Sequence, residues 1–104
     1  MINGIVVVLL IGSTAAMAQQ PAAISQVSIV SAIHAHCGFN GSDGLGGYVV
    51  NNSTSRLILV TVSDRRRSST TTYTLEPSAR EFVACGTQDA AGPAFEVTGA
   101  RYAN

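Results

Sequence analysis

The sequence predicts an all-β protein: a small antiparallel β-sandwich or open barrel of about six strands, with one disulfide, preceded by a signal peptide. Three observations lead to this prediction. Short runs rich in Val, Ile and Thr alternate with clusters of Gly, Asn, Ser and Pro. The chain has two cysteines, Cys37 and Cys85. An apolar run stands near the start of the 104 residues.

The segment Met1 to Ala18 is typical of a signal peptide. Its apolar run, Ile5 to Ile11, is followed by small residues and by Ala16-Met17-Ala18, which predicts cleavage after Ala18. The run is shorter than the roughly 20 apolar residues that a membrane span needs. No Lys or Arg precedes the run, so an uncleaved N-terminal anchor stays open as the alternative. We expect a periplasmic or secreted protein with no membrane span after cleavage.

Residues 19–104 are enough for one small β domain, of which 19–23 form a flexible leader. A domain of this size has a small core, and a cross-link stabilises it. Because an exported chain meets oxidising conditions, we expect a disulfide between Cys37 and Cys85. Closing a loop of this length contributes about 4 kcal/mol in the chain-entropy description.

The first predicted strand runs from Val27 to Cys37. The odd positions are apolar at Val27, Ile29, Ile33, Ala35 and Cys37, while the even positions from 26 onward include Gln26, Ser28 and both histidines. This alternation favours a strand. A helix stays open, because some of the same residues also recur at helical spacing. The next segment, Gly38 to Gly47, holds five glycines and is predicted to be a long mobile loop.

Two strands are then predicted as a hairpin. Tyr48 to Val50 is short and ends at Asn51 to Ser55, a turn whose side chains bond to their own backbone. Leu57 to Val62 is apolar on both alternating faces, which predicts a position in the middle of a sheet. We expect the two strands to pair antiparallel.

The remaining strands are separated by polar turns. Gly99 is predicted to mark a β-bulge, because the apolar positions change phase there. These strands are Thr70 to Leu75, Arg80 to Cys85, Ala94 to Thr98 and Ala100 to Tyr102.

Part of this region resembles a pattern found in many small exported bacterial proteins. In that pattern a strand, a Pro-containing turn and a strand ending in Cys-Gly precede a final strand with Gly-Ala. Here it is carried by Tyr73 to Gly86 and by Phe95 to Tyr102. The resemblance names no family and implies a β domain and bacterial export rather than an activity.

His34 and His36 are a candidate metal site. Residues two apart on a strand point to the same side, so the two imidazoles would face one Cu(II) or Zn(II) ion. A third ligand would have to come from Asp43, Glu81 or Glu96. The alternative is a pair of half-exposed strand histidines that bind no metal.

Arg65, Arg66 and Arg67 are a candidate partner-binding site, because they concentrate half of the chain's positive charge at one turn. Guanidinium groups bind phosphate or carboxylate groups on a polymer, a lipid headgroup or a protein. The alternative is a solvated turn that keeps a strand edge from aggregating.

Composition argues against several functions. Six Arg balance six acidic residues, so no overall charge favours nucleic acid. There is no G-x-S-x-G motif and little room for a catalytic cleft, and we expect neither an enzyme nor a cofactor. The leading hypothesis is a non-catalytic binding or accessory module of the bacterial envelope, which contacts another envelope or secreted protein. The alternatives are periplasmic metal binding through His34 and His36, and an inhibitor or immunity-type protein.

Overall fold

A computed structural model describes residues 21–103, and the predicted signal peptide therefore lies outside the described residues. Within this range the chain is all-β, as predicted, and its two short 3-10 turns are Ala23–Gln26 and Phe39–Gly41. The helix alternative for the first segment is not found. The strands are β1 Val27–His34, β2 Gly44–Asn51, β3 Ile58–Asp64, β4 Ser69–Leu75, β5 Arg80–Cys85, β6 Gln88–Asp89, β7 Gly92–Pro93 and β8 Phe95–Tyr102.

Two three-stranded antiparallel sheets enclose the core. Their strand orders are β1-β2-β5 and β4-β3-β8, while β6 and β7 form a separate two-stranded hairpin. The middle position of β3 confirms the prediction made from its apolar composition. Buried side chains from both sheets meet between them; the largest are Phe95, Ile58, Leu75, Val49, Val60 and Val62.

The predicted hairpin between the second and third strands is wrong. β2 pairs with β1 and β5, whereas β3 pairs with β4 and β8. The chain crosses from one sheet to the other between them, so two strands that are neighbours in sequence lie in different layers. Their apolar patterns are compatible with either arrangement, because both strands have a face in the same core.

Asn51 holds this crossing in place and is fully buried. Its side-chain amide donates to the carbonyl oxygens of Arg56 at 2.8 Å and Leu75 at 2.9 Å. Its side-chain oxygen accepts from the backbone amide of Ser53 at 2.9 Å. The predicted turn, in which side chains bond to nearby backbone, is therefore confirmed.

The predicted long loop from Gly38 to Gly47 is wrong for its second half, because β2 begins at Gly44. These glycines allow other parts of the chain to approach β2 closely. A Cβ at Gly44 would lie 2.5 Å from the carbonyl oxygen of Cys37, and one at Gly47 would lie 2.7 Å from the Phe95 ring. Only glycine leaves room for these neighbours.

The predicted disulfide between Cys37 and Cys85 is confirmed, with Cα atoms 5.2 Å apart. Cys37 follows β1 and Cys85 ends β5, so the bond joins the two strands that flank β2. Such a cross-link fits an extracellular or otherwise oxidising compartment. Neither helical turn within residues 21–103 has the length and hydropathy to cross a membrane.

The predicted bulge in the last strand is also confirmed. Thr61 pairs with Gly99 and Val62 with Val97, so Thr98 is an extra residue in β8. The change of phase in the apolar positions therefore reflects a real shift of register at this point.

Candidate functional site

His34 belongs to an aromatic cluster on the outer face of the first sheet. Its ring stacks on Phe82, with centroids 3.8 Å apart and an interplanar angle of 8°. The Nδ1 atom of His34 lies 2.8 Å from the hydroxyl of Tyr48. The guanidinium of Arg80 lies over the Tyr48 ring, 4.4 Å from its centroid. The cluster packs rings together across β1, β2 and β5.

His36 lies beyond the end of β1, in a turn where its φ is 68°. Its Nδ1–H donates to the carbonyl oxygen of Gly41 at 3.0 Å. His34 and His36 are therefore not both on a strand, and the alternation of a strand does not place their side chains on the same side. Within residues 21–103 no three His, Cys, Asp or Glu side chains form a group that could hold a metal ion. Metal binding stays a prediction.

The arginine turn between β3 and β4 contacts the protein's own chain. Arg65 donates to Asp89 and to the carbonyl oxygen of Pro93 at 3.0 Å. Arg66 donates to the carbonyl oxygen of Cys85 at 2.9 Å. Two of the three predicted partner-binding residues thus fasten the turn to the end of β5 and to the segment that follows it.

Arg67 is the most exposed residue of the three, and its Nε lies 3.7 Å from a carboxylate oxygen of Asp64. Asp64 is mostly buried and also accepts from the backbone amides of Arg66 and Arg67 at 3.0 and 3.3 Å. The carboxylate therefore shapes the turn itself. The prediction that this turn binds a partner stays untested.

The Arg65 guanidinium lowers the pKa of the Asp89 carboxyl below its ordinary value of 3.8, chiefly through its hydrogen bond. The backbone amide of Ala91 adds a second hydrogen bond, at 2.9 Å. Both contacts favour the ionised carboxylate. Asp89 is therefore the anion to which the first two arginines of the turn are bound.

An open groove of about 510 Å³ runs beside this turn. Its lining includes Asp64, Arg65, Phe95 and Glu96. The first two are already hydrogen-bonded to the protein's own chain, as described above.

A different surface was not singled out by the sequence analysis. The large exposed hydrophobic side chains of the described residues all fall in one short stretch of chain: Ile24, Ile29, Ile33, Phe39 and Leu45. Three of them share one face of the first sheet, because Ile33 lies directly opposite Leu45 and Ile29 lies opposite Val49. We call Ile29, Ile33 and Leu45 the β1 edge patch.

The β1 edge patch continues the core-facing side of the sheet. Val49, which lies opposite Ile29, is fully buried, whereas Ile29 is 38% exposed. Further along, Ile33 and Leu45 are 65% and 58% exposed. The second sheet thus covers Val49 but leaves this end of the apolar face uncovered.

Among residues 21–103 no strand pairs with the outer edge of β1, because β1 is the outer strand of its sheet. The amide of Asn52 donates to the carbonyl oxygen of Gln26 at 2.7 Å. Hydrogen-bonded pairs recur every second residue in an antiparallel ladder. The odd-numbered residues of β1 therefore direct their backbone N–H and C=O groups away from β2.

One sequence signal pointed to this surface. The stretch from Gln19 to Asn40 carries no charged residue, whereas all twelve charged residues lie between Asp43 and Arg101. Exposed strand edges usually carry charges that block further pairing. Two edge strands, β1 and β4, carry no charged residue. Of these two, only β1 has large exposed apolar side chains beside it, which suits it to binding another chain.

Comparison with protein-family models, curated proteins and solved structures found no match for this chain.

Proposed function

We propose that this protein is a non-catalytic binding or accessory module of the bacterial envelope, and that it binds its partner through the β1 edge patch. The observation that carries the proposal is the pair Ile33 and Leu45, which lie side by side with most of their surface in water. Contiguous exposed apolar residues next to a free strand edge favour protein binding.

The local geometry favours this edge over the arginine turn. Arg65 and Arg66 already donate to Asp89, Pro93 and Cys85. A partner carboxylate or phosphate would have to displace these contacts. At the β1 edge patch, by contrast, a partner would cover apolar surface that now faces water, which is favourable by about 25 cal/mol per Å².

Export supports the same proposal. The predicted signal peptide and the disulfide between Cys37 and Cys85 both suit a periplasmic or secreted module. The partner expected from the sequence, an envelope or secreted protein, would meet this surface.

The test is site-specific photo-crosslinking in cells that export the full chain. A photoreactive residue at Ile33 is expected to form adducts, while one at Thr72, an exposed position on β4, is expected to form none. Both positions are exposed, so neither substitution disturbs the core.

A second change makes the result specific to the patch. Leu45→Asp places a charge beside position 33 and is expected to abolish the adducts, whereas Thr74→Asp, at another exposed position on β4, should leave them unchanged. Equal adducts from positions 33 and 72, or none from 33, would show that the β1 edge patch is not the binding surface.

A further inference from the structure

We infer that the partner at the β1 edge patch is a second copy of this chain, joined by antiparallel pairing of β1 with the same strand of the partner subunit. This inference rests on the proposed function of that surface. It is carried by three features of β1: its free backbone groups, the spacing of its exposed isoleucines and its lack of charge.

The free backbone groups have the right parity for self-pairing. The bond between Asn52 and Gln26 shows that the even-numbered residues of β1 bond to β2. The N–H and C=O groups of the odd-numbered residues therefore point to the open edge; these residues are Val27, Ile29, Ser31 and Ile33. A two-fold axis through Ser31 sets each of these residues opposite another odd-numbered residue. Ser31 and its own copy, and Ile29 and the partner subunit's Ile33, can then exchange backbone hydrogen bonds.

The same register brings the exposed apolar side chains together. With Ser31 on the axis, Ile29 lies opposite Ile33 of the partner subunit, and Ile33 lies opposite the partner's Ile29. All four side chains are then on one face of the joined sheet, where directly opposite side chains are in contact. The 38% and 65% of Ile29 and Ile33 that now face water would be covered by each other.

The side chain at the two-fold axis lies opposite the same side chain of the partner subunit and must fit beside it. Ser31 is small and exposed, and its hydroxyl can both donate to and accept from the hydroxyl of the partner's Ser31. A charged or bulky residue at this point would oppose a two-fold contact.

Charge makes a second copy a better occupant than an acidic or basic partner. β1 carries no charged side chain, so two copies approach without repulsion. The opposite edge of the same sheet is β5, which begins with Arg80 and Glu81 and has a shift of register against β2. Of the two edges of the first sheet, only β1 is regular and uncharged.

Pairing through β1 would join two three-stranded sheets into one six-stranded sheet. One strand from each subunit makes a small interface, so a weak dimer that dissociates on dilution is expected. The disulfide between Cys37 and Cys85 ties the end of β1 to β5, and so holds β1 in its sheet while its outer edge pairs.

The first test is the mass of the exported protein by sedimentation equilibrium over a wide range of concentration. The wild type is expected to pass from one to two chains as its concentration rises. Ser31→Lys sets two like charges on the axis and is expected to give a single chain throughout. The matched control is Thr70→Lys, at an exposed position on the edge strand β4, which should behave as the wild type.

The second test is the register. Residues facing each other in a hydrogen-bonded pair have Cα atoms about 5.5 Å apart, which lies within the Cα spacing that a disulfide spans. Ser31→Cys is expected to give a covalent dimer on mild oxidation, and Thr70→Cys is expected to stay monomeric. Circular dichroism confirms that each variant keeps the β fold.

The outcomes separate this inference from the proposed function. A wild type that stays a single chain, or a dimer that survives Ser31→Lys, would overturn self-pairing through β1. Photo-adducts from position 33 that contain a different protein would also overturn it, while leaving the proposed binding surface intact. If the wild type formed no dimer and position 33 gave no photo-adducts, the proposed binding function of the β1 edge patch would be overturned as well.

Discussion

Arg65 and Asp89 are hydrogen-bonded at 2.5 Å between Nη2 and Oδ1, although they lie 24 residues apart in the chain. The bond fastens the turn between β3 and β4 to the hairpin of β6 and β7. Arg66 adds a second contact to the same carboxylate, at 3.5 Å. The run of arginines thus organises the segment that connects the two sheets after β5.

This contact predicts how Asp89 titrates. Its hydrogen bond from Arg65 lowers its pKa in the folded protein below 3.8. The stability that it contributes is therefore complete above the unfolded pKa and is lost as the pH falls through the folded pKa. An NMR titration of the Asp89 carboxyl is expected to show a midpoint below 3.8, and Arg65→Gln is expected to raise it.

The control for this titration is Arg67→Gln, because Arg67 pairs with Asp64 and makes no contact with Asp89 that the structure shows. The midpoint should move much less in this variant. A titration of Asp89 that is the same in Arg65→Gln and in the wild type would contradict the assigned cause.

The disulfide is expected to supply a large share of the stability. Replacing Cys37 and Cys85 together with Ser should lower the free energy of unfolding by about 4 kcal/mol, because the open chain gains loop entropy. Urea unfolding of the oxidised wild type and the double variant measures the difference. A loss below about 1 kcal/mol would show that packing alone holds β1 to β5.

Local sequence signals predicted much of the fold. The bounds of β5, the strand β4, the middle position of β3 and the bulge beside Gly99 all follow from patterns within a few residues. The disulfide was predicted because the chain offers a single pair of cysteines. These features depend on neighbouring residues or on composition, both of which a sequence displays directly.

Features that depend on distant contacts were missed. Residues 44–47 have the composition of a loop but lie in β2. Glycines stand there because Cys37 and Phe95 approach the strand closely, and Phe95 is distant in sequence. The pairing partners of β2 were wrong for a similar reason, since strand patterns do not say which sheet a strand joins. The same limit applies to the β1 edge patch, whose exposure depends on how far the second sheet extends.

Asn51 is expected to be critical for stability. Asn51→Ala would remove the donor to the carbonyl oxygens of Arg56, Leu75 and Glu76, and it would also free the amide of Ser53. The expected loss is about 3 kcal/mol in the free energy of unfolding, measured by urea unfolding. Asn52→Ala is the control, because Asn52 is exposed and donates only to Ser28 in its side-chain bond at 3.0 Å.

The two asparagine variants are expected to differ in their free energy of unfolding. Asn52→Ala should cost less than about 0.5 kcal/mol, as expected for an exposed residue. Equal losses for the two variants would mean that the crossing from β2 to β3 does not depend on the buried amide.

The glycines of β2 give a final prediction about packing. A methyl group at Gly47 would meet the Phe95 ring at 2.7 Å and the carbonyl oxygen of Gly86 at 2.8 Å. Phe95 is almost fully buried in the core, so it cannot move aside without disturbing its neighbours. Gly47→Ala is therefore expected to lower the free energy of unfolding by about 1 to 3 kcal/mol.

Gly99→Ala is the matched control in the other sheet. The nearest atom to its added methyl group is the Cβ of Thr61, at 4.0 Å, which is an ordinary contact. Removing a glycine from a strand also reduces the entropy of the unfolded chain, so this variant should be neutral or slightly stabilising. Thermal unfolding of the two variants beside the wild type tests the difference. If Gly47→Ala matched Gly99→Ala, the close approach of β2 to Phe95 would not be what requires glycine at position 47.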